Sequence, residues 1–272
     1  MSKVTVAERT INDFGDQWTR FVSNDGFYGS KELFADIVGP AIGLDELVGK
    51  KVLDVGSGTG RIVSMLIAAG ADHVTAVEPS DAFYALEKNV ALIRHQTDQD
   101  VLCLRVAGDQ MNLPYSYDVA FSIGVLHHIP DPDPVMRKVH AALVPGGKFV
   151  VWLYGKEGNG LYLFIIEPLR KLTQYLPHPV LMGIVWVLYP ILLLYRQVCR
   201  LVKLPLSDYI VNVLFRMAPE KRRLVIYDQL NPAYAKYYTE NEAADLMRRA
   251  GFSGVSVLSR RGYSWIAVGE KS

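Results

Sequence analysis

Two cysteines occur in 272 residues, Cys103 and Cys199, far apart and without CxxC or Cys/His spacing. A disulfide framework and a cysteine zinc site are therefore not expected, and a reducing, cytoplasmic setting fits. No low-complexity run and no internal repeat is present. The opening residues Met1 to Arg9 lack the apolar core of a signal peptide, so secretion is not expected. No separate basic domain with interleaved aromatics occurs, which argues against nucleic-acid binding. What is present is an ordered composition, half hydrophobic and a fifth charged, in a chain long enough to bury a sizeable core.

Net charge is +1, but it is unevenly spread. Residues 156–225 hold ten Lys/Arg against the four acids Glu157, Glu167, Asp208 and Glu220, so this segment is +6 and the remainder −5. Such asymmetry bears on partners rather than on fold.

From Lys50 onward strand and helix signals alternate. Lys51 to Val55 is a short apolar run ending in glycines, which predicts a buried strand entering a tight turn. Arg61 to Ala69 has helical spacing and stops at Gly70. His73 to Val77 predicts a second strand and Ser80 to Arg94 a second helix, with Ser80 as N-cap. Val101 to Val106 and Tyr117 to Ser122 predict strands three and four. A helix is expected over Asp131 to Leu143, then a turn at Pro145-Gly146-Gly147 into strand five, Lys148 to Leu153. Thr239 with Glu242 has the spacing of a capping box opening a helix that stops at Gly251. Ser253 to Ser259 and Ser264 to Gly269 predict a closing hairpin through Arg260-Arg261-Gly262. The fold expected is α/β: a Rossmann-like, seven-stranded, mostly parallel sheet with an antiparallel C-terminal hairpin and a helical insertion after strand five.

Open parallel sheets bind ligands at the carboxyl ends of their strands. The loop Asp54-Val55-Gly56-Ser57-Gly58-Thr59-Gly60 falls there, and its glycines permit sharp turns and close approach of a ligand. Taken alone it is no more than a tight βα turn. A dinucleotide fingerprint would require glycine at position 61, where this chain has Arg61, so NAD is disfavoured. Glu78 ends the second strand and can accept hydrogen bonds from both hydroxyls of a ribose. Asp109, after the third strand, can accept from an adenine amine.

Val52 to Gly60 resembles motif I of the class I S-adenosylmethionine-dependent methyltransferases. Ala76-Val77-Glu78-Pro79-Ser80 is similar to their second motif, and Ala107 to Pro114 to their third. Phe121 to Ile129 with Leu143-Val144-Pro145-Gly146-Gly147 completes the set. The resemblance covers about residues 50–155 and the terminal hairpin. It is strongest to the type 11/12-like, small-molecule branch that includes enzymes of quinone biosynthesis and of natural-product or cell-surface-sugar pathways.

The resemblance implies S-adenosylmethionine as cofactor and S-adenosylhomocysteine as product. It implies Gly56, Ser57, Gly58 and Gly60 beside the methionine part, with Asp54 orienting the loop or reaching the amino group through water. Glu78 with Pro79 and Ser80 would hold the ribose, Asp109, Gln110 and Met111 the adenine, and Ile123 with Gly124 the sulfonium end. His127 and His128, just after strand four, are catalytic candidates as a general base; the alternative is that they pack and hydrogen-bond backbone. No metal-ligand spacing surrounds them, so no metal is expected. Trp18 and Tyr28 in an N-terminal cover, Tyr154 at the end of strand five, and Tyr227 and Tyr234 late in the insertion are candidates for the acceptor's walls; packing is their alternative. Asn231-Pro232-Ala233-Tyr234 superficially resembles the NPPY motif of nucleic-acid amino-methyltransferases. That motif follows strand four, however, where this chain has Gly124 to His128.

Three regions are expected: an N-terminal helical cover (1–49), a cofactor-binding domain (50–156 and 236–272) and a hydrophobic, basic helical insertion (157–235). Within the insertion, Pro179 to Tyr195 carries no charge and Pro190 interrupts it, which favours a broken helical pair. Arg170 and Lys171 precede this stretch, and Arg196, Arg200 and Lys203 follow it. Residues 160–206 could therefore contact the substrate as a lid, a second subunit in a homodimer, or the inner face of a membrane peripherally. The function expected is methyl transfer to a small-molecule, hydrophobic or lipid-like acceptor. A non-methyl reaction of the same cofactor and a non-catalytic scaffold are the alternatives.

Overall fold

The structure is a computed structural model that describes residues 4–94 and 99–272. The first three residues of the segment considered above for a signal peptide lie outside that range. Helix α1 (Val6–Arg20) opens with a capping box in which Thr5 accepts from the Glu8 amide and Glu8 accepts from the Thr5 amide. Helix α2 (Lys31–Val38) is capped by Ser30 and buries Leu33, Phe34, Ile37 and Val38. The alternating unit follows as β1 (Lys51–Val55), α3 (Arg61–Ala69), β2 (His73–Val77), α4 (Ala82–Arg94), β3 (Asp100–Leu104), β4 (Tyr117–Ile123), α5 (Asp133–Ala142) and β5 (Leu143–Tyr154). Helices α6 (Gly160–Thr173), α7 (His178–Cys199), α8 (Ser207–Asn212) and α9 (Pro219–Leu230) come next. The chain closes with α10 (Glu240–Arg249), β6 (Phe252–Arg260) and β7 (Ser264–Lys271).

Among the described residues the seven strands form one sheet in the order β3-β2-β1-β4-β5-β7-β6. The first five strands run parallel, while β7 pairs antiparallel with both β5 and β6. Parallel strands covered on both faces are apolar along their whole length. Accordingly Val52, Leu53, Val74, Ala120, Phe121 and Val150 are fully buried. Each large one contributes roughly 1.5–3 kcal/mol by leaving water. Helices α2, α3 and α4 pack on one face, α5 and α10 on the other. A third apolar cluster ties α6, α7 and α9 together through Leu163, Ile166, Leu181, Val185 and Leu230.

Several boundaries differ from the sequence expectation for local reasons. Strand β5 starts at Leu143, not Lys148, because Leu143 pairs with Tyr117 ahead of a register shift. Helix α5 begins at Asp133: Asp131 accepts from the Asp133 amide in an Asx turn and Pro132 precedes the first helical residue. Helix α4 begins at Ala82, whose amide bonds the Ser80 hydroxyl. The larger difference is α7, which runs unbroken through Pro190 where a broken pair was expected. Pro190 and Trp186, the residue whose carbonyl it deprives of a donor, both lie on the exposed side, where a missing hydrogen bond is least costly.

At α10, Thr239 accepts from the Glu242 amide at 3.2 Å and Glu242 accepts from the Thr239 amide at 2.9 Å. Thr239→Ala should lower stability by about 1 kcal/mol. Urea denaturation would read this as a lower midpoint at unchanged slope; an unmoved midpoint would show that the box contributes nothing.

Candidate active site

Strand order reverses at β1, which has β2 on one side and β4 on the other, and such a switch opens a crevice at the carboxyl ends. The loops after β1, β2, β3 and β4 all line one cavity there, of about 740 Å³. From the crevice the cavity continues beneath the insertion, where Leu188 and Leu192 of α7, Ile210 of α8 and Leu224 of α9 form its wall.

The loop after β1 is shaped by its glycines. The amides of Gly56 and Ser57 both donate to the Val77 carbonyl, at 2.8 and 3.0 Å, pinning the loop to the end of β2. Gly56 has φ +80°, and a Cβ there would lie 2.5 Å from a methyl of Val125, so no side chain fits. Glu78 is buried and braces the loop from the other side. One carboxylate oxygen accepts from the Gly58 amide at 2.8 Å and the other from the Ser80 amide at 2.9 Å. The Trp18 indole of α1 lies over Gly58. Beneath the loop Asp54 is fully buried, and burial pushes its carboxyl up to about 7. Its Oδ2 has no hydrogen-bond partner among the described residues.

The far side of the cavity is polar at one place. Asp228 of α9 accepts from the Gln17 side-chain amide at 2.8 Å and from the Tyr154 hydroxyl at 3.3 Å. Gln17 is itself fixed, accepting from the Asn231 side chain at 3.1 Å. Gln229 donates to the Tyr154 oxygen at 2.8 Å and accepts from Tyr162 at 2.6 Å. Asp228, Tyr154, Gln229 and Tyr162 all line the cavity. Burial raises the Asp228 carboxyl above the ordinary carboxylate range and holds the Tyr154 hydroxyl well above its usual value.

Residues 53–149 match a family model described as a methyltransferase domain. Residues 53–149 are a class I S-adenosylmethionine-dependent methyltransferase domain. The chain is 31% identical over 135 residues to the ubiquinone biosynthesis O-methyltransferase of Pseudomonas aeruginosa, covering 48% of this chain and 55% of that protein. It is 32% identical over 123 residues to the tRNA U34 carboxymethyltransferase of Ectopseudomonas mendocina, covering 45% and 38%. Against these relatives the chain spans about half of the first and less of the second. In fold it is similar to a magnesium protoporphyrin IX methyltransferase from Synechocystis PCC 6803 solved with bound S-adenosylhomocysteine. That likeness has a TM-score of 0.55 at 15% identity and covers 94% of each chain.

The cofactor of this family is S-adenosylmethionine, and the residues of the methyltransferase domain fit it. The Gly56 turn leaves room that a Cβ would fill, and the orphaned Asp54 oxygen beneath it suits a donor reached through water. Gly56, Ser57, Gly58, Glu78, Pro79, Ser80, Asp109, Ile123 and Gly124 line the cavity, as do Trp18, Tyr28, Tyr154 and His128. Other expected residues lie off it. Asp54 sits under the loop, Gly60 caps α3 with φ +82°, and Gln110 is exposed. Met111 is buried in the core among Leu53, Val77 and Val135 rather than turned to the cavity. Tyr227 packs between Phe21 and His178, and Tyr234 borders a separate surface cleft with Lys236 and Glu242.

His127 also lies off the cavity wall, fully buried against Tyr154 with ring centroids 3.9 Å apart. His128 reaches the wall, with its Nδ1 2.8 Å from the Tyr234 carbonyl. A carbonyl only accepts, so Nδ1 carries the proton and Nε2 is bare. Burial holds His128 down at about 3 and His127 well below its ordinary value. A base that weak is poorly matched to proton abstraction near neutrality, whereas Asp228 is shifted toward it. Asp228 lines the cavity although no sequence motif marks it and the expected residues of this segment are tyrosines. The i, i+4 spacing of Leu224 and Asp228, which puts both on the cavity side of α9, was the available signal.

In a pH titration followed by histidine ring NMR, the His127 and His128 signals should keep their neutral positions from pH 8 down to pH 5. Their native values are depressed, so protons are taken up only on unfolding. A His128 midpoint near its ordinary value of 6.5 would contradict this burial.

Proposed function

We propose that this protein transfers a methyl group from S-adenosylmethionine to an apolar small molecule carrying a hydroxyl or another protic nucleophile. The observation that carries the proposal is the single cavity joining the glycine loop to the apolar chamber beneath α7, α8 and α9. S-adenosylmethionine supplies an activated methyl on a sulfonium. The protein therefore has to align, exclude water and manage one proton. Gly56, Ser57 and Gly58 hold the amino-acid part, with Asp54 beneath; Glu78 holds the ribose and Asp109 the adenine. Trp18 and Tyr28 close the cofactor side. The Leu188, Leu192 and Ile210 wall takes the acceptor's apolar body. Asp228 accepts the proton that the acceptor's nucleophilic atom loses, oriented by Gln17 and Tyr154.

In this scheme residues 50–156 with 236–272 carry the cofactor, and residues 157–235 carry the acceptor. The apolar wall favours a hydrophobic acceptor over a nucleic acid, although one similar protein bears a tRNA name. Peripheral attachment to a membrane accompanies the scheme, because a lipid-soluble acceptor resides in bilayers.

Glu78→Ala should weaken S-adenosylhomocysteine binding, read by calorimetry, by about a hundredfold or more, since charge-assisted hydrogen bonds contribute about 1.5–3 kcal/mol each. Asp228→Asn should leave that affinity unchanged. Unchanged affinity in Glu78→Ala would contradict the cofactor assignment. With a cell lipid extract and isotopically labelled S-adenosylmethionine, label should enter an organic-soluble product as one added methyl. Incorporation of any other group would contradict methyl transfer.

A further inference from the structure

Helix α7 has two apolar sides with different surroundings. One faces the protein: Leu181 and Val185 are buried, and Leu188 and Leu192 line the cavity. The other faces outward, where Val187, Ile191, Leu194 and, just beyond the helix, Leu201 recur at helical spacing. They are 68%, 57%, 68% and 86% exposed. Helix α6 adds an outward row of its own, of which Phe164 and Leu172 are the most exposed large residues. Monomers rarely leave contiguous apolar surface of this kind facing water.

The charge around this face has one sign. Between Glu167 and Asp208 no acid occurs, while Lys171 lies before α7, and Arg200 and Lys203 lie after it. These three cations are exposed and, among the described residues, form no ion pair. Helix α7, with 22 residues, is long and apolar enough to cross a membrane by length and composition. The helix is nonetheless committed to the protein: Leu181 and Val185 are buried in it, Arg223 of α9 stacks on Trp186 and Tyr189, and its own Arg196 stacks on Phe215. A helix fixed in this way lies along a surface rather than through it.

We propose that the outer faces of α6 and α7 dock in the plane of an anionic lipid bilayer, their apolar rows in the acyl boundary and their cations at the headgroups. The bilayer and the cavity then lie on opposite sides of one helix, so an apolar acceptor leaving the membrane has only α7 to pass. That last step rests on the proposed methyl transfer to an apolar acceptor; the docking itself does not.

The test is cosedimentation of the full chain with sucrose-loaded vesicles of phosphatidylglycerol and phosphatidylcholine, against vesicles of phosphatidylcholine alone. Wild type should sediment with the anionic vesicles and be released by high salt. Val187→Glu with Leu194→Glu should weaken association more than tenfold, because each replaces a lipid-buried side chain with a charge. Arg200→Glu and Lys203→Glu should each weaken it about fivefold or more, near 1 kcal/mol per cation lost. All variants should bind S-adenosylhomocysteine as wild type does, which separates lost docking from misfolding. Failure of wild type to sediment with either vesicle would overturn the proposal while leaving the cofactor assignment standing. So would a concentration-dependent dimer, seen by analytical ultracentrifugation, that the Val187→Glu/Leu194→Glu pair dissolves without any vesicle association.

Discussion

Two amides, those of Gly56 and Ser57, converge on the single carbonyl of Val77, and the Gly58 amide turns to the Glu78 carboxylate. Through these bonds the loop leaving β1 is held against the end of β2, and each strand end depends on the other. The turn is available only to glycine at position 56, where φ is positive and Val125 occupies the space a side chain would need. Because the loop leaves one buried strand, β1, and is hydrogen-bonded to the end of another, β2, the cavity floor is set before any ligand arrives. The helical cover and the insertion can then be built around a rigid base.

From that base the chemistry divides between two elements far apart in sequence. The loops of β1 to β4 line one side of the cavity, whereas α9 brings Asp228 and Gln229 to the opposite side, and α1 supplies Gln17 to hold Asp228 in place. An uncompensated carboxyl in such surroundings is costly unless it is hydrogen-bonded, and here two neutral donors serve it. The same burial that raises Asp228 keeps His128 neutral. Desolvation therefore acts in opposite directions on an acid and a base, which is the ground for proposing Asp228 rather than His128 as the proton acceptor.

The parts written locally were legible in the sequence. β1, α3 and β2 follow from runs bounded by glycine, and the Thr239/Glu242 box starts α10 where its spacing requires. The cavity wall at the strand ends was legible because Gly56, Glu78, Asp109 and Gly124 follow those ends in order. Tertiary context decided the rest. Met111 follows the third strand as an adenine contact would, yet it turns into the core. His127 and His128 are adjacent, but only His128 reaches the cavity wall. Pro190 is a helix breaker by local rule, but α7 accommodates it on its exposed side. Asp228 carries only a weak local mark, its i, i+4 spacing from Leu224, and that mark gains meaning once α9 turns this side to the cavity.

In the proposed reaction donor and acceptor share one cavity, meeting between Gly124 and Asp228. A crystal structure of the full chain with S-adenosylhomocysteine tests this most directly. The amino-acid part should lie against Gly56 to Gly58 and the ribose on Glu78, with the sulfur opening toward Tyr154, Asp228 and the apolar wall of α7. A sulfur directed to bulk solvent, or walled off from Asp228 by the protein, would contradict it.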